Sequence, residues 1–439
     1  MTGPRPGSTT TWASALIGVG LAGMAALMQI FRTRQWRIAA GVPFTLDGLL
    51  FIGLIVACVV PAVRRRHDLH RMGWLVVGAG TLFFVWGALS ALRHPPPTIV
   101  TSTPYEIPLS FLVTPQLHGA LCMFAALFLA LALGRYQRTG VVVAAGALVL
   151  VGFIAWPRLV GVNRSWRLAT ALGGSATIHV VFLVATAVLL GFTLTPPPAT
   201  WSHRARFTRL LSWGLSFLGF VGVIATGSRA GLLCLIVWVM ILGLSRARRA
   251  VTIGVIALAC LWGVLLLLIP DLRHSLLTED PLRQANAATA WSWWTQEIGT
   301  IIAGNGVGQV WPWVGFDAGL VPVPGDGMIP TPHGPVLLSP HSTVLAAAAE
   351  SGLVGLVLLL VVMGLIAARG FTARRDLFTL VLSASTLATS VAFLFDTYLI
   401  KEFGISFWWW LAVFIVLTRT PVERVEGCSN PRQQQDHES

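Results

Sequence analysis

Two short runs hold the residue types best suited to chemistry. Thr226-Gly227-Ser228-Arg229-Ala230-Gly231 joins two long apolar segments. An arginine so close to hydrocarbon is costly to place and is a functional hypothesis by default. Its guanidinium presents a fork of N–H donors that matches phosphate oxygens. The flanking glycines let backbone approach a ligand closely, and Ser228 adds a hydroxyl. The competing reading is an arginine snorkelling from an ordinary hairpin. The second run is Ser339-Pro340-His341-Ser342. Ser339 fits a helix N-cap and Pro340 the first helical position. That predicts His341 in the first turn, where the positive end of the helix dipole disfavours imidazolium. A neutral imidazole there can accept a proton. A polar helix-start residue without a role is the plain alternative.

Other candidates are weaker. Arg283 opens an apolar, Trp-rich stretch from Pro281 to Ile302. The stretch reads as one helix lying on a membrane surface, because tryptophan favours the interface; an exposed loop arginine is the alternative. Trp291, Trp293 and Trp294 either anchor that helix or offer aromatic faces to sugar rings. His333, in a Thr-Pro-His-Gly turn, ranks below His341. Glu350 lies ~13 Å beyond His341 along the helix and reads as a buried, hydrogen-bonded packing residue. His118 and His179 lie in apolar segments and read as satisfied core residues. Glu279, Asp280, Glu297, Asp317 and Asp326 lack metal-ligand spacing, so no metal and no cofactor are expected. The Gly304-Asn305-Gly306-Val307-Gly308 turn is not GxGxxG and follows no strand signal, which leaves a nucleotide reading weak.

The elements that must position these residues are apolar. Hydrophobic residues make up 55% of the 439-residue chain and charged ones 11%, against about 25% charged in a soluble domain. The class is an all-α polytopic membrane protein, long enough for about a dozen spans of ~20 residues. Apolar runs predict twelve, at 12–30, 44–62, 73–92, 109–133, 139–156, 175–194, 210–225, 230–244, 250–270, 343–367, 377–395 and 403–418. The first lacks a small-residue cleavage signal and reads as a retained span. The cysteines make neither a disulfide framework nor a CxxC metal site.

The organisation that follows is an N-terminal membrane region 1–270, a long extramembrane loop 271–342 with short helices, C-terminal spans 343–418 and a polar tail 419–439. The net charge of +13 fits arginines that fix topology better than it fits nucleic acid, for which no soluble basic domain exists. Arg64-Arg65-Arg66, Arg135, Arg138, Arg204, Arg206, Arg209, Arg246, Arg248, Arg249, Arg374 and Arg375 fall on one side, which predicts that side and both termini to be cytoplasmic. Two groups fall on the other side: Arg32, Arg34 and Arg37, and Arg158, Arg164 and Arg167. Either the first two spans are misplaced or the charge is tolerated, or else these arginines face a phosphate.

The order of the motifs resembles the O-antigen ligase/polymerase superfamily of bacterial membrane glycosyltransferases. The family's TGSR-[AG] turn is matched by Thr226–Ala230. Its Arg-then-Trp helix leading into a GxG turn is matched by Arg283, Trp291 or Trp294, and Gly306-Val307-Gly308. Its H-[NS]-x-x-L…E-x-G-x-x-G helix is matched by His341, Ser342, Leu345, Glu350, Gly352 and Gly355. The likeness covers about residues 210–370. His-Ser stands where His-Asn is commoner, and the family's Asn-rich turn is not clear near Arg158, Arg164 and Arg167. The resemblance implies a bacterial inner-membrane enzyme with its site facing the periplasm. The donor is a glycan on undecaprenyl diphosphate, and the acceptor a sugar hydroxyl of lipid A-core. His341 is implied as the base, and Arg229, Arg283 and Ser228 as diphosphate ligands. Arg158, Arg164, Arg167, His333 and Trp294 are secondary. Transfer is implied to be metal-free and inverting. The rivals are a repeat-unit polymerase, a ligase that moves glycans onto protein, and a lipid-linked glycan flippase. In the long loop, the polymerases' Arg-x10-Gly spacing leads from Arg273 and Arg283 to Gln284 and Trp294, not glycine, which favours a ligase. A flippase needs charged or broken helices at midplane.

Overall fold

The computed structural model describes residues 8–31, 36–39, 42–100, 104–163, 167–195, 203–244, 280–324, 327–372 and 376–418. Most of these are helical. In order they form α1 (Ser8–Ile30), α2 (Leu46–Arg64), α3 (Arg71–Leu92), α4 (Leu109–Leu133), α5 (Gln137–Asn163), α6 (His179–Leu194), α7 (His203–Ala225) and α8 (Arg229–Leu244). After these come α9 (Pro281–Trp294), α10 (Ile298–Ala303), α11 (Trp313–Asp317), α12 (Thr343–Thr372), α13 (Leu377–Ser390), α14 (Tyr398–Lys401) and α15 (Phe403–Leu417).

Among the described residues, seven helical stretches, in α2, α3, α4, α5, α7, α12 and α13, are long and apolar enough to cross a membrane, while Leu16–Ile30 of α1, and α6, α8 and α15, are shorter apolar stretches. Lipid leaves a spanning backbone no partners but its own, which makes helix the only open conformation for such stretches. The predicted segment 250–270, the tail 419–439, and Arg32, Arg34 and Arg164 lie outside the described residues.

Helix α15 is buried along its whole length, Trp409 and Trp410 included. It packs on α4, α6 and α13, and these form the centre of the bundle. Large apolar side chains of α1, α2 and α7 point outward, among them Leu27, Val56 and Phe217.

The described residues within 280–342, before α12, contribute to a second hydrophobic core. Trp311, Trp313, Val314, Phe316, Ile329 and Val336 pack with Phe111 and Leu112 of α4 and Ala346 and Ala349 of α12. This segment is therefore a folded cap on one end of the bundle. It holds a two-stranded antiparallel hairpin, β5 (Met328–Thr331) with β6 (Gly334–Leu337). Two further hairpins pair β1 (Trp36–Ala39) with β2 (Val42–Thr45) and β3 (Thr98–Val100) with β4 (Pro104–Glu106). Apolar periodicity signals none of the three, because each is short and lies in a connection.

The single surface helix predicted from Pro281 to Ile302 is instead two helices. Helix α9 ends at Trp294, and α10 starts afresh at Ile298, where the Thr300 hydroxyl accepts the N–H of Glu297 at 3.2 Å.

Helix α12 is broken at Gly352, whose φ of 68° and ψ of −167° are not helical. The break strands carbonyls, and neighbours take them up. The Ala349 carbonyl accepts the backbone N–H and the side-chain Nδ2 of Asn305, each at 2.9 Å. The Glu350 carbonyl accepts Gly306 N at 3.0 Å and Ser90 Oγ at 2.8 Å, and the Ser351 carbonyl accepts Trp86 Nε1 at 2.8 Å. The Gly304–Gly308 turn thus lies against the broken helix as a backbone-to-backbone seam. A Cβ on Gly304 would sit 2.3 Å from the Glu350 carbonyl oxygen, and one on Gly352 would sit 2.4 Å from Gly304 N. The buried Glu350 side chain completes the seam by accepting the N–H of Gly308 at 3.0 Å and of Trp311 at 3.2 Å. This is the packing role its sequence context suggested.

Candidate active site

His341 sits just before α12 with φ 52°, the one non-glycine residue at positive φ among the described residues. Left-handed backbone costs an ordinary residue of order 1–3 kcal/mol and persists only when neighbours enforce it. The enforcement is visible on both sides. The Pro340 carbonyl accepts Asn286 Nδ2 at 3.2 Å. Ser342 Oγ donates to the Phe393 carbonyl at 3.1 Å and accepts the N–H of Leu345 at 3.1 Å. Thr343 N and Oγ1 both donate to the Asp396 carbonyl, at 2.9 and 2.8 Å.

These contacts correct the predicted helix start. Ser342, not Ser339, caps α12, and His341 precedes the helix instead of lying in its first turn. Its neutrality has a different source from the helix dipole. Burial lowers the imidazole to about 4, with the charges of Arg283 and then Lys401 pushing the same way and Asp280 opposing. At neutral pH His341 is an unprotonated acceptor.

Arg229 is the first residue of α8 and is exposed. Ser228 caps that helix by accepting the N–H of Gly231 at 3.2 Å, and its hydroxyl donates to the Ala176 carbonyl at 3.4 Å. Ser228 is thereby committed to fixing the turn that carries Arg229. Gly227 supplies the turn's positive φ of 58°. Arg167 holds the turn from the far side: Nε donates to the Thr226 carbonyl at 3.0 Å and Nη2 to the Gly227 carbonyl.

Arg283 lies in the first turn of α9, after Pro281 and behind the Asp280 cap, which accepts its N–H at 3.1 Å. Its guanidinium pairs with Asp280 at 3.0 Å, both side chains being nearly half exposed. A cation at a helix start works against the dipole. Here α8 and α9 both carry an arginine there, so at each the dipole and the guanidinium favour an anion together.

Electrostatics join the three segments. Arg167 lies below its ordinary value because of burial and then the charges of Arg229 and Arg283. The charge of Arg283 also reaches His341 and Asp396. The charge of Arg283, at the start of α9, thus acts both on Arg167, which Arg229 also influences, and on the neutral imidazole of His341.

The remaining sequence candidates fall elsewhere. The His333 ring lies on that of Trp293, centroids 4.8 Å apart. Trp294 donates Nε1 to the Ile301 carbonyl at 3.1 Å and braces α9 against α10. Trp311 and Trp313 are buried, while Trp291 is 57% exposed and meets the Trp294 ring edge to face, centroids 5.1 Å apart. Arg158 falls within the range of α5.

Three residues escaped the sequence reading. Buried Asn286 ties Pro340 to α9 and also accepts Trp311 Nε1 at 2.8 Å and Leu337 N at 3.0 Å. Asp396 fixes the start of α12 through its carbonyl; burial pushes its carboxyl well above the usual range, with Arg283 opposing, and its Oδ2 is buried without a hydrogen-bond partner. Lys401 pairs with Asp317 at 3.5 Å, lies 5.0 Å from the centroid of the Trp313 ring and adds positive charge near His341. The spacing of Asn286 three residues after Arg283 was a readable signal, since residues three apart share a helix face.

Chemically, the arrangement can hold a multiply charged anion against guanidiniums while an imidazole takes a proton from a hydroxyl beside it. No protein-family model matches the chain, and no curated protein sequence matches it significantly.

Proposed function

We propose that this protein is a membrane glycosyltransferase of the O-antigen ligase kind, which moves a glycan from undecaprenyl diphosphate to a sugar hydroxyl of lipid A-core. The observation that carries the reading is that the charge of Arg283 reaches both the buried, neutral His341 and Arg167, which in turn holds the turn bearing Arg229. His341 takes the proton of the acceptor hydroxyl as its oxygen attacks the anomeric carbon. The bond from that carbon to the diphosphate breaks, and Arg229 and Arg283 stabilise the charge that develops on the departing oxygen. The configuration inverts in one displacement. The guanidiniums supply the positive charge that a divalent ion supplies in other phosphate-leaving reactions.

In this reading the chain has twelve spans, the cap on α12 faces the periplasm and both termini are cytoplasmic, in a bacterial inner membrane. The arginines at the end of α2 and the start of α5 fit that orientation. The flippase reading has one feature in its favour, the broken helix at Gly352. Its stranded carbonyls are taken up by Asn305, Gly306, Ser90 and Trp86, so the break serves the seam and leaves an enzyme as the better reading.

The test is deletion of the gene followed by a lipopolysaccharide gel. Free core with accumulated lipid-linked polymer supports a ligase. Core bearing a single repeat assigns a polymerase, and unaltered lipopolysaccharide points to a protein acceptor or a different pathway. His341→Ala, confirmed folded and inserted, is expected to abolish transfer; full activity in that variant rejects the base assignment.

A further inference from the structure

Helices α1 and α2 follow one another in the chain but lean on different partners, α1 on α5 and α2 on α4. Between them lies a slot of about 790 Å³, lined by Gly20, Gly23 and Leu27 of α1, Cys58 of α2, and Leu129 and Ala132 of α4 among others. The lining is almost wholly apolar, and the volume falls in the range of small-molecule sites, roughly 300–1,000 Å³. An apolar slot open to the side of a bundle that crosses a membrane is accessible to lipid tails.

One end of the slot is basic. Arg65 donates from Nη1 to the carbonyl of Ala132, a slot-lining residue, at 2.6 Å. That bond uses one of five guanidinium donors. Arg64 and Arg66 flank it with exposed side chains, and Cys58 lies about two turns of α2 before them. A tail in the slot therefore carries its head group to three consecutive arginines.

We propose that this slot binds an anionic phospholipid, its tail between α1 and α2 and its phosphate on Arg64, Arg65 and Arg66. The site is separate from the His341 centre, and its ligand does not depend on the reaction proposed there. The charge selects an anionic head group, phosphatidylglycerol, over the zwitterionic phosphatidylethanolamine. The glycines matter because they leave the slot open: a Cβ added at Gly20 or Gly23 meets nothing within 4 Å. A side chain added there starts into open space and can grow into the slot.

The test is native mass spectrometry of the full chain released from nanodiscs of equal phosphatidylglycerol and phosphatidylethanolamine. Wild type is expected to retain phosphatidylglycerol at least fivefold over phosphatidylethanolamine, on the order of the 1 kcal/mol per basic residue known for basic segments at anionic surfaces. Gly23→Phe is expected to lose the retained lipid, and Gly20→Leu, a smaller plug, to reduce it. The pair Arg64→Gln and Arg66→Gln, which leaves Arg65, is expected to cut the preference for phosphatidylglycerol severalfold. Equal retention of both lipids by wild type overturns the proposal. So does undiminished retention in the plugged variants, each checked for unchanged thermal unfolding in detergent.

Discussion

Asn286 donates from its side-chain Nδ2 to the Pro340 carbonyl at 3.2 Å, which ties the helix carrying Arg283 to the residue before His341. The proposed anion-binding and proton-accepting groups are thereby one mechanical unit. Asn286→Asp keeps the acceptor for Trp311 and Leu337 and removes the donor to Pro340. Transfer is expected to slow on the order of 10²-fold, the scale of a small misplacement at a reacting centre, and mainly in kcat. Steady-state kinetics in reconstituted vesicles decide it; a variant slowed only in donor KM means the tie does not position His341.

The backbone of His341 sets stability against function. Glycine takes φ 52° without the strain that a side chain brings. His341→Gly is therefore expected to unfold no more readily than wild type, and to gain up to about 1 kcal/mol, while transfer is lost. Thermal unfolding followed by tryptophan fluorescence gives the first quantity. A variant that is both inactive and clearly less stable would show that the imidazole serves packing, not proton transfer.

His341 titrates near 4 because of burial and the charges of Arg283 and Lys401. The neutral base is thus present above that pH and lost below it. The acid limb of kcat/KM, which reports the free enzyme, is expected near pH 4 instead of the ordinary 6.5. Lys401→Met removes one depressing charge and moves the limb upward. Bound diphosphate opposes the arginine field, so the limb of kcat is expected at higher pH than that of kcat/KM. A limb at 6.5 in wild type that Lys401→Met leaves in place removes His341 from the rate profile.

The seam between the glycine turn and α12 has no room for side chains. Gly304→Ala places a Cβ against the Glu350 carbonyl at a φ of 79°, and Gly352→Ala places one against Gly304 N at 68°. Backbone cannot give way as a flexible side chain does. Each variant is expected to lose about 2–4 kcal/mol from strain and overpacking together. Thermal unfolding tests this; wild-type melting in both variants would mean that the seam opens easily.

Much of the scaffold was legible because hydrocarbon permits one backbone solution. Apolar runs located α1 to α8, α12, α13 and α15, though α5 runs seven residues past its predicted end and α7 starts seven residues before its predicted beginning. What pattern could not supply was the folding of the cap. Its core joins Trp311 and Phe316 to Phe111 on a distant helix, and no local periodicity encodes a contact of that separation. Arg229, Arg283 and His341 stood out because a charge or an imidazole beside an apolar run is conspicuous. Asn286 and Asp396 did not, because their importance lies in carbonyls and backbone N–H groups that only the folded chain brings to them. The predicted Ser339 cap failed for a similar reason: Pro340 fits a first helical position by type, but Asn286 and Asp396 hold the chain in a non-helical path, with His341 at φ 52°, until Ser342.

Arg167 and Arg229 are close and do different work, which makes their variants separable. Arg167 spends Nε and Nη2 on the carbonyls of Thr226 and Gly227, so its first task is to shape the turn. Arg167→Ala leaves those carbonyls without that donor, an expected loss of about 1–3 kcal/mol, and it lowers transfer through misplacement of Arg229. Arg229→Lys keeps the charge and loses the fork. It is expected to leave melting unchanged and to raise the donor KM and lower kcat, at least tenfold in kcat/KM together. Full-length donor titrations with both variants distinguish the roles. Wild-type turnover in Arg229→Lys, or a loss of stability in it as large as that of Arg167→Ala, would reduce Arg229 to a structural residue of the turn.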